Sequence, residues 1–330
     1  MTSGPRRRSA IRAIGVNQFG GPEVLEAVDL PLPDPGPGEI RIRVHAAAIN
    51  PVDRLWRNGY LAKRLALQGP PPYVPGMDAA GVVDLVGPGV DVQESGLRPG
   101  THVLAIVDNK GQYGAYSDYL VLPVESVVPA PAGSSHAEAA SFLMPALTVR
   151  AALDNLELPV GSTVLVTGAA GGVGQQAVAL ADHEGFRVVA LASEDDEELV
   201  RSLGAGEFAA RGPDAMDRIR ALSGGGVDGV IDAANLHAGV VAAVRDGGRI
   251  MVVSRWPHEG LGRGVTSVHV DVRHRARDRE AILALRDLAA AGVLPMTVAS
   301  TYRAEEIVAA HERFDRGGLR GRIIVLFAEP

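Results

Sequence analysis

Three glycines in the stretch VLVTGAAGGVGQQAVALA (164–181) have the spacing of a loop that holds the phosphates of a dinucleotide. They follow an apolar run, which predicts a buried strand, and a run with helical periodicity begins after them. One glycine of such a loop permits a tight turn, one lets the backbone approach a pyrophosphate, and one lets the helix pack closely on the strand. The N-terminus of the helix adds free N–H groups and a partial positive charge. The residues expected to bind the dinucleotide here are Gly168, Ala169, Gly171, Gly172, Val173 and Gly174.

The loop departs from the usual pattern at one position. Ala169 stands where the first glycine of G-x-G-x-x-G is expected. A glycine-rich turn with packing roles only is therefore the alternative. The context favours binding, because a strand precedes the loop, a helix follows it and a second strand comes about 20 residues later.

Strands and helices alternate from Gly161 onward, and this alternation predicts the scaffold that holds the loop. The predicted strands are STVLVT, RVVAL, DGVIDA and RIMVVS, and the helices between them are expected to end at His183, Leu203 and Val244. This spacing predicts a parallel, doubly wound sheet. Ligands of such sheets lie at the carboxyl ends of the strands, so Val252, Val253 and Ser254 are expected beside the cofactor.

The first third of the chain has a different texture. Short β-type runs such as EIRIRVHAAAI (39–49) and DYLVLP (118–123) are separated by clusters of proline and glycine. This pattern predicts an antiparallel, barrel-like unit. The late run GRIIVLF (321–327) predicts a strand that could return to that unit. The chain as a whole is expected to be α/β.

Composition excludes several classes of function. The net charge is −7 with no basic stripe, which argues against nucleic-acid binding. The absence of cysteine excludes disulfides, thiolate zinc sites and cysteine nucleophiles. No apolar run approaches the length of a membrane span, and the basic start MTSGPRRRSA has no apolar core, so it is interpreted as a disordered tail. A cytoplasmic protein is expected.

Several stretches, in this order, resemble the zinc-free, quinone oxidoreductase-like (zeta-crystallin-like) branch of the medium-chain dehydrogenase/reductase family. They are AAINPVDRLWRNGY, YVPGMDAAGVV, GQYGAYSDYLVLP, AASFLMPALTVRAAL, the glycine loop, VRSLGA and RGRIIVLF. The resemblance implies a GroES-like, partly open β-barrel domain (1–132 and 298–330) for substrate and catalysis. It also implies a Rossmann domain (133–297) that binds the dinucleotide, with the active site in the cleft between the two.

The resemblance implies an activity as well. It is hydride transfer from NAD(P)H to a small electron-poor substrate, a quinone or an α,β-unsaturated carbonyl compound, in a homodimer. The alternatives are a non-catalytic nucleotide-binding sensor or structural protein, and a biosynthetic tailoring reductase with one specific substrate. Zinc enzymes of the superfamily use a cysteine and a Gly-His-Glu segment, but PGMDAAG (75–81) stands at the latter position, and the histidines are scattered along the sequence. No metal is expected.

The segment NPVDRLWRNGY (50–60) supplies the candidate catalytic residues. In the family the matching Asn and Asp line the cleft near the nicotinamide, which points to Asn50 and Asp53. Asn50 both donates and accepts hydrogen bonds, although Asn-Pro is also a simple turn signal. Asp53 is expected to organise the loop, and Tyr60 to be a proton donor or a wall of the pocket.

Three further residues match family positions near the cofactor. Thr148 matches a position close to the nicotinamide, and the alternative is a helix residue that bonds to its own backbone. Arg320 and Arg322 match a basic segment that approaches the cofactor, and the alternative is a solvated basic turn.

The acidic run Glu194–Glu198 follows a predicted strand and bears on the choice of cofactor. By the resemblance, Ser193 matches a residue that faces the 2′-phosphate of NADP, Leu191 stands at the position of the usual NAD-type Asp, and Asp196 replaces the accompanying Lys. NADP(H) is therefore the preferred cofactor and NAD(H) the alternative. This choice requires Glu194, Asp195 and Asp196 to point into solvent, while Ser193 and a nearby arginine meet the phosphate. Binding of NAD(H) would instead need Glu194 or Asp195 on the ribose hydroxyls. The run is also interpreted as helix capping with Ser193 as the N-cap, which is compatible with either cofactor.

Overall fold

The computed structural model describes residues 10–64, 70–111, 113–257 and 260–327. The predicted N-terminal tail lies outside the described residues except for Ala10, and so do the outer limits of the predicted domains, residues 1 and 330. Within these ranges no helix combines the length and the apolar character that crossing a membrane requires.

The strands and helices are numbered in chain order. The strands are β1 (Ala10–Val16), β2 (Leu25–Pro31), β3 (Glu39–Ala48), β4 (Asp78–Val86), β5 (His102–Ile106), β6 (Tyr119–Pro123), β7 (Val127–Pro129), β8 (Thr163–Thr167), β9 (Arg187–Ala192), β10 (Glu207–Ala210), β11 (Val227–Asp232), β12 (Val244–Val252), β13 (Thr266–His269), β14 (Val298–Arg303) and β15 (Arg322–Leu326). The α-helices are α1 (Pro51–Arg57), α2 (Tyr60–Arg64), α3 (Val92–Ser95), α4 (His136–Ala140), α5 (Leu143–Leu156), α6 (Gly172–His183), α7 (Glu197–Ser202), α8 (Ala215–Leu222), α9 (Arg279–Ala290) and α10 (Ile307–Asp315). Short 3-10 helices lie at Pro22–Val24, Val124–Ser126, Glu194–Asp196, His237–Ala243, Val272–Arg275 and Ala304–Glu306.

The first sheet is centred on β3, which pairs antiparallel with β15, β4 and β6. It continues from β15 to β14 on one side and from β4 through β5 to β7 on the other. Ile40, Ile42 and Val44 alternate along β3 and are buried, which is the period of a strand with one face on a core. The hairpin of β1 and β2 joins this unit through bridges from Ala13 and Val16. The late strand β15 thus returns to the first sheet, as the sequence predicts.

The second sheet is parallel throughout, in the order β10-β9-β8-β11-β12-β13. Counted from its own first strand this is 3-2-1-4-5-6, the order of the Rossmann fold, so the predicted α/β fold class is confirmed. The order reverses between β8 and β11, and ligands of such sheets lie in the crevice outside the carboxyl ends at that point.

One crossover differs from the sequence prediction. The helix expected to end at Val244 is instead a 3-10 helix, His237–Ala243. Asn235 and His237 have left-handed φ angles of 55° and 52°, and the Asp232 carboxylate accepts bonds from the backbone N–H groups of Leu236 and His237. The chain therefore turns sharply after β11, and no α-helix forms there.

A continuous apolar cluster joins the two sheets. It includes Ala46 and Leu104 from the first sheet, Ala146 and Leu147 from α5, and Val164 from β8. Helix α5 is buried along most of its length because it packs between the two sheets. This shared core fixes the position of the first sheet relative to the glycine loop.

Candidate active site

The glycine loop joins β8 to α6 at the crevice of the second sheet. Gly168 has a left-handed φ of 58°, as a tight turn requires. A Cβ atom at Gly174 would lie 2.1 Å from the carbonyl oxygen of Gly168, so only glycine allows the helix to pack this closely. A Cβ atom at Gly171 would lie 3.2 Å from the same carbonyl oxygen of Gly168, and apart from its two chain neighbours no other atom of the described residues lies within 4 Å of it. The outer side of the loop is therefore open to a ligand. The methyl group of Ala169, the departure from the pattern, is buried in the core.

Gly172, the first residue of α6, lies against the side chain of Arg322 from β15. A Cβ atom at Gly172 would lie 2.5 Å from the Cδ of Arg322. Glycine at this position therefore makes room for an arginine of the first sheet at the N-terminus of the helix. The side chain of Arg322 thereby links the predicted cofactor loop to the predicted cleft.

The head group of Arg322 reaches Asn50, and Asp78 completes a buried triad. The Nη2 of Arg322 donates to the Oδ1 of Asn50 at 2.6 Å, to the carbonyl of Ile49 at 3.0 Å and to Asp78 at 3.3 Å. The Nδ2 of Asn50 donates to the same Asp78 oxygen at 3.1 Å. The backbone N–H of Met144 donates to the other Asp78 oxygen at 2.7 Å. Strands β4 and β15 and the loop before α1 thus meet at one point.

The triad holds opposite charges away from solvent. Asn50 and Asp78 are each 1% exposed and Arg322 is 8% exposed. Burial raises the pKa of Asp78, while the charge of Arg322 and the bond from Asn50 act in the opposite direction. A carboxylate in such surroundings depends on its cation, because an unpaired buried charge is strongly unfavourable.

Asp53 organises the loop, as expected from the sequence. It lies at the third position of α1, and its Oδ2 accepts the backbone N–H of Asn50 at 2.8 Å, which forms a capping box. Its Oδ1 accepts the backbone N–H of Gly76 at 2.9 Å, and the hydroxyl of Tyr116 donates to Oδ2 at 3.0 Å. Burial raises the pKa of Asp53 to about 6, and these three bonds together with the charge of Arg322 lower it in part.

The acidic run differs from the prediction at Asp196. Glu194 and Asp195 are exposed, as the NADP(H) hypothesis requires, but Asp196 is buried and forms an ion pair with Arg320. The prediction that Asp196 points into solvent is therefore wrong, because the chain supplies a cation for it from the segment before β15. Ser193 occupies the N-cap position of the 3-10 helix Glu194–Asp196, but its side chain makes no capping bond.

Other predicted cofactor residues lie near the carboxyl edge of the second sheet or in α5. Val252 ends β12, and the Oγ of Ser254 lies 3.0 Å from the Nε2 of His237, which follows β11. The hydroxyl of Thr148 donates to the carbonyl of Met144 at 2.6 Å. Thr148 therefore makes the bond to its own helix backbone that the alternative interpretation predicts.

Tyr60 is not part of the buried triad. It begins α2, is 48% exposed, and its backbone N–H donates to the side chain of Asn58. Its role as proton donor or pocket wall stays a prediction.

Comparison with known proteins identifies the family. Residues 36–132 match the alcohol dehydrogenase GroES-like domain, and residues 172–275 match the family described as zinc-binding dehydrogenase. Human quinone oxidoreductase is 30% identical over 332 residues, which cover 96% of this chain and 98% of that protein. The chain belongs to the zinc-free, quinone oxidoreductase-like branch of the medium-chain dehydrogenase/reductase family. The predicted family is thus confirmed.

Two other relatives bear on the chemistry of this quinone oxidoreductase-like chain. The NADPH-dependent alkenal/one oxidoreductase of Arabidopsis thaliana chloroplasts is 31% identical over 250 residues, 72% of this chain and 61% of that protein. A mycobacterial protein solved in complex with NADPH is 28% identical, with a TM-score of 0.83 over 96% of this chain and 100% of that chain.

Metal ligands do not converge in the described part of this quinone oxidoreductase-like chain. No group of three His, Asp or Glu residues there is arranged to hold a metal ion. The histidines are not all scattered, however. The ring centroids of His45 and His102 lie 4.3 and 4.7 Å from that of His136, and burial lowers the pKa of His136 to about 4. Their rings stack or tilt against one another, and they do not form a group that could hold a metal ion.

Sequence reasoning missed several residues that the fold brings to the site. Asp78 lies within PGMDAAG (75–81). The only sequence signal for it was that an Asp stands where the zinc enzymes of the superfamily have the Glu of Gly-His-Glu. Asp232, at the end of β11, accepts the hydroxyl of Thr167, at the end of the neighbouring strand β8, at 2.6 Å. Tyr116 lies within GQYGAYSDYLVLP, but nothing in that stretch singled it out, and His311 had no signal. Tyr116 meets Asp53, and His311 meets Tyr116, only through tertiary packing.

Proposed function

We propose that this protein is a zinc-independent NADPH-dependent reductase of quinones or α,β-unsaturated carbonyl compounds. The observation that carries the proposal is the path from Gly172 through Arg322 to Asn50. It puts the start of a dinucleotide-binding helix and a buried polar triad side by side, as hydride transfer in a cleft requires. The names of the human and Arabidopsis relatives support the two substrate classes.

The described residues fit a nicotinamide dinucleotide. The open side of Gly171 and the N-terminus of α6 would receive the pyrophosphate, because backbone N–H groups and a partial positive charge face an anion there. The bound nicotinamide would supply the hydride. The loops after β11 and β12, which meet at His237 and Ser254, would flank it.

The triad would polarise the electron-poor acceptor. The Nη2 of Arg322 is held by three oxygens of the protein, among them those of Asn50 and Asp78. These bonds fix the guanidinium, and its remaining N–H groups would face the acceptor. Negative charge that develops on the acceptor oxygen would be stabilised by donors that are already oriented, which costs no reorganisation during the reaction.

A screen of acceptors tests the proposal. The purified protein is expected to oxidise NADPH with quinones or enones as acceptors, followed by the absorbance of the reduced nicotinamide. The activity is expected to persist after exhaustive treatment with a strong chelator, because the chain offers no thiolate ligand. Cofactor binding without turnover on any acceptor would favour the sensor or structural alternative. Loss of activity together with one tightly held zinc would overturn the zinc-free mechanism.

The ion pair of Asp196 and Arg320 supports the choice of NADPH. Asp196 is tied to the turn of Ser193, since its backbone N–H donates to the Ser193 carbonyl at 2.9 Å. Arg320 is 55% exposed and so presents its guanidinium beside that turn. In this arrangement Asp196 holds a cation for the 2′-phosphate, and its own charge is neutralised.

Arg320→Ala is expected to lower kcat/KM with NADPH by about tenfold and to change the value with NADH little, because a charge-assisted bond to a phosphate is lost. The measurement is kcat/KM for both cofactors at low salt. Arg316→Ala is the matched control, since Arg316 is exposed on the same segment and bonds only to a carbonyl of its own helix among the described residues. Equal losses with NADPH and NADH would contradict a phosphate contact.

The homodimer and the cytoplasmic location are proposed on the same grounds of family membership. The predicted domain bounds are likewise retained as a proposal, and the two matched regions, 36–132 and 172–275, fall within them.

A further inference from the structure

A line of buried polar side chains runs from α10 to Asp53, and neither the glycine loop nor the triad uses it. Asp53, Tyr116 and His311 are fully buried, and Arg57 is 4% exposed. At the outer end Arg57 forms an ion pair with Asp315, whose side chain is 28% exposed. Hydrogen bonds between buried groups are strong in surroundings of low dielectric constant, so this line holds its members in a defined arrangement.

The contacts are continuous from one end to the other. The Nη1 of Arg57 lies 2.9 Å from the Nδ1 of His311. The Nε2 of His311 lies 3.2 Å from the hydroxyl of Tyr116, and that hydroxyl lies 3.0 Å from the Oδ2 of Asp53. The same Asp53 oxygen accepts the backbone N–H of Asn50 at 2.8 Å. The line therefore ends on the backbone of a residue of the triad.

The chemistry of the groups gives the line a single direction. A guanidinium only donates, so the Nδ1 of His311 must accept from Arg57 and the proton of the neutral imidazole must lie on Nε2. That N–H donates to the oxygen of Tyr116, and the hydroxyl proton of Tyr116 then points to Asp53. Burial lowers the pKa of His311 to about 3, with the charge of Arg57 acting in the same direction, which keeps the ring neutral.

This direction excludes proton transfer to the surface along the line. A relay from Asp53 would have to deliver a proton through the Nδ1 of His311 to Arg57, but a guanidinium has no lone pair to accept it. The line is therefore a fixed set of donors aimed at one carboxylate.

We propose that Tyr116 and His311 are positioning residues, which hold the Asp53 carboxylate and, through it, the backbone of Asn50 in the arrangement that turnover requires. The proposal rests on the proposed function, because it gives Asn50 a place in that active site. Helix α10 thereby acts on Asn50 by way of Tyr116 and Asp53.

The proposal can be tested through the pKa of Asp53, because the charged and titratable groups around Asp53 set this pKa. The charge of Arg322 acts on Asp53 from β15, and the hydroxyl of Tyr116 contacts it from the segment before β6. His311 of α10 contacts that hydroxyl rather than Asp53, and Arg57 lies one turn further along α1. Loss of the Tyr116 hydroxyl removes a bond that stabilises the carboxylate, so the pKa of Asp53 rises. A protonated Asp53 is a poorer acceptor for the N–H of Asn50, and the arrangement loosens at low pH.

Tyr116→Phe tests the proposal with quinone and NADPH as substrates. We expect kcat to fall about tenfold below neutral pH and to recover towards the wild-type value at alkaline pH, because the acid limb of the kcat profile moves up by about one pH unit. The Kd for NADPH is expected to stay unchanged. His311→Gln is expected to preserve the profile, since its amide can accept from Arg57 and donate to Tyr116, whereas His311→Leu is expected to resemble Tyr116→Phe.

Leu120→Val is the control for a merely structural effect. Leu120 is fully buried in the same core as Tyr116 and forms no side-chain hydrogen bond. It is expected to lower Tm without moving the pH profile. The proposal would be overturned if the pH profile of kcat in Tyr116→Phe matched the profiles of both Leu120→Val and the wild type.

A measurement without turnover separates this proposal from the proposed function. The backbone amide resonance of Asn50 in ¹⁵N-labelled protein is expected to titrate with Asp53, with a midpoint of about 6 in the wild type and a higher midpoint in Tyr116→Phe. If no acceptor is reduced, the proposed function fails, and this titration still decides whether the line controls Asp53. Equal midpoints in the two proteins would overturn the inference.

Discussion

Gly171→Asp is expected to lower the affinity for NADPH by at least about a hundredfold while the protein stays folded. Two unit charges about 4 Å apart repel by about 4 kcal/mol at an effective dielectric constant near 20, and the pyrophosphate is expected at this distance. The backbone tolerates the side chain, because Gly171 has an extended conformation with φ −81° and ψ 171°. Aspartate is also a favourable N-cap, so α6 keeps its first turn. Fluorescence titration with NADPH, on protein with an unchanged circular dichroism spectrum, measures the effect.

Gly171→Asn is the matched control for this prediction. It has nearly the shape of aspartate and also caps helices well, but it carries no charge. We expect it to retain much more affinity than Gly171→Asp. Wild-type affinity in Gly171→Asp would remove the loop from the cofactor site, and equal losses in both variants would show that steric exclusion, not charge, is responsible.

Arg322→Leu is expected to lower the free energy of unfolding by about 3–5 kcal/mol, because it leaves the charge of Asp78 buried without its cation. Adding Asp78→Asn removes that charge, so the double variant is expected to recover part of the loss. Urea denaturation of the wild type, both single variants and the double variant measures the coupling between the two residues. Additive losses would show that the two side chains do not act as a pair.

Arg12→Leu is the matched control, since Arg12 also forms an ion pair with a carboxylate, that of Glu305. Both side chains of this pair are exposed, at 59% and 62%, and ion pairs in solvent contribute little to stability. A loss in Arg12→Leu as large as that in Arg322→Leu would contradict the role given to burial.

The parts of the fold that follow local rules could be predicted from the sequence. The glycine loop follows from its spacing and from the strand and helix at its ends, and the second sheet follows from the alternation after Gly161. The crossover after β11 could not be predicted, because the left-handed residues Asn235 and His237 have no strong sequence signal for that conformation.

The candidate site was only partly predictable because its residues come from distant segments. Asn50, Asp78 and Arg322 meet through the pairing of β3 with β4 and β15, and this register sets which side chains face one another. Asp196 was expected in solvent because its partner, Arg320, lies 124 residues further along the chain. Local helix-capping rules carry no information about such a contact.

The return of β15 to the first sheet has a consequence for biosynthesis. All strands of the second sheet leave the ribosome before β15 does, so the second sheet has its full set of strands while the edge of β3 that β15 covers is still unpaired. Domains usually fold in the order in which they are synthesised, but here the one that begins first is finished last. Because β15 also carries Arg322, the nascent chain closes that edge and supplies the cation of Asp78 in the same step.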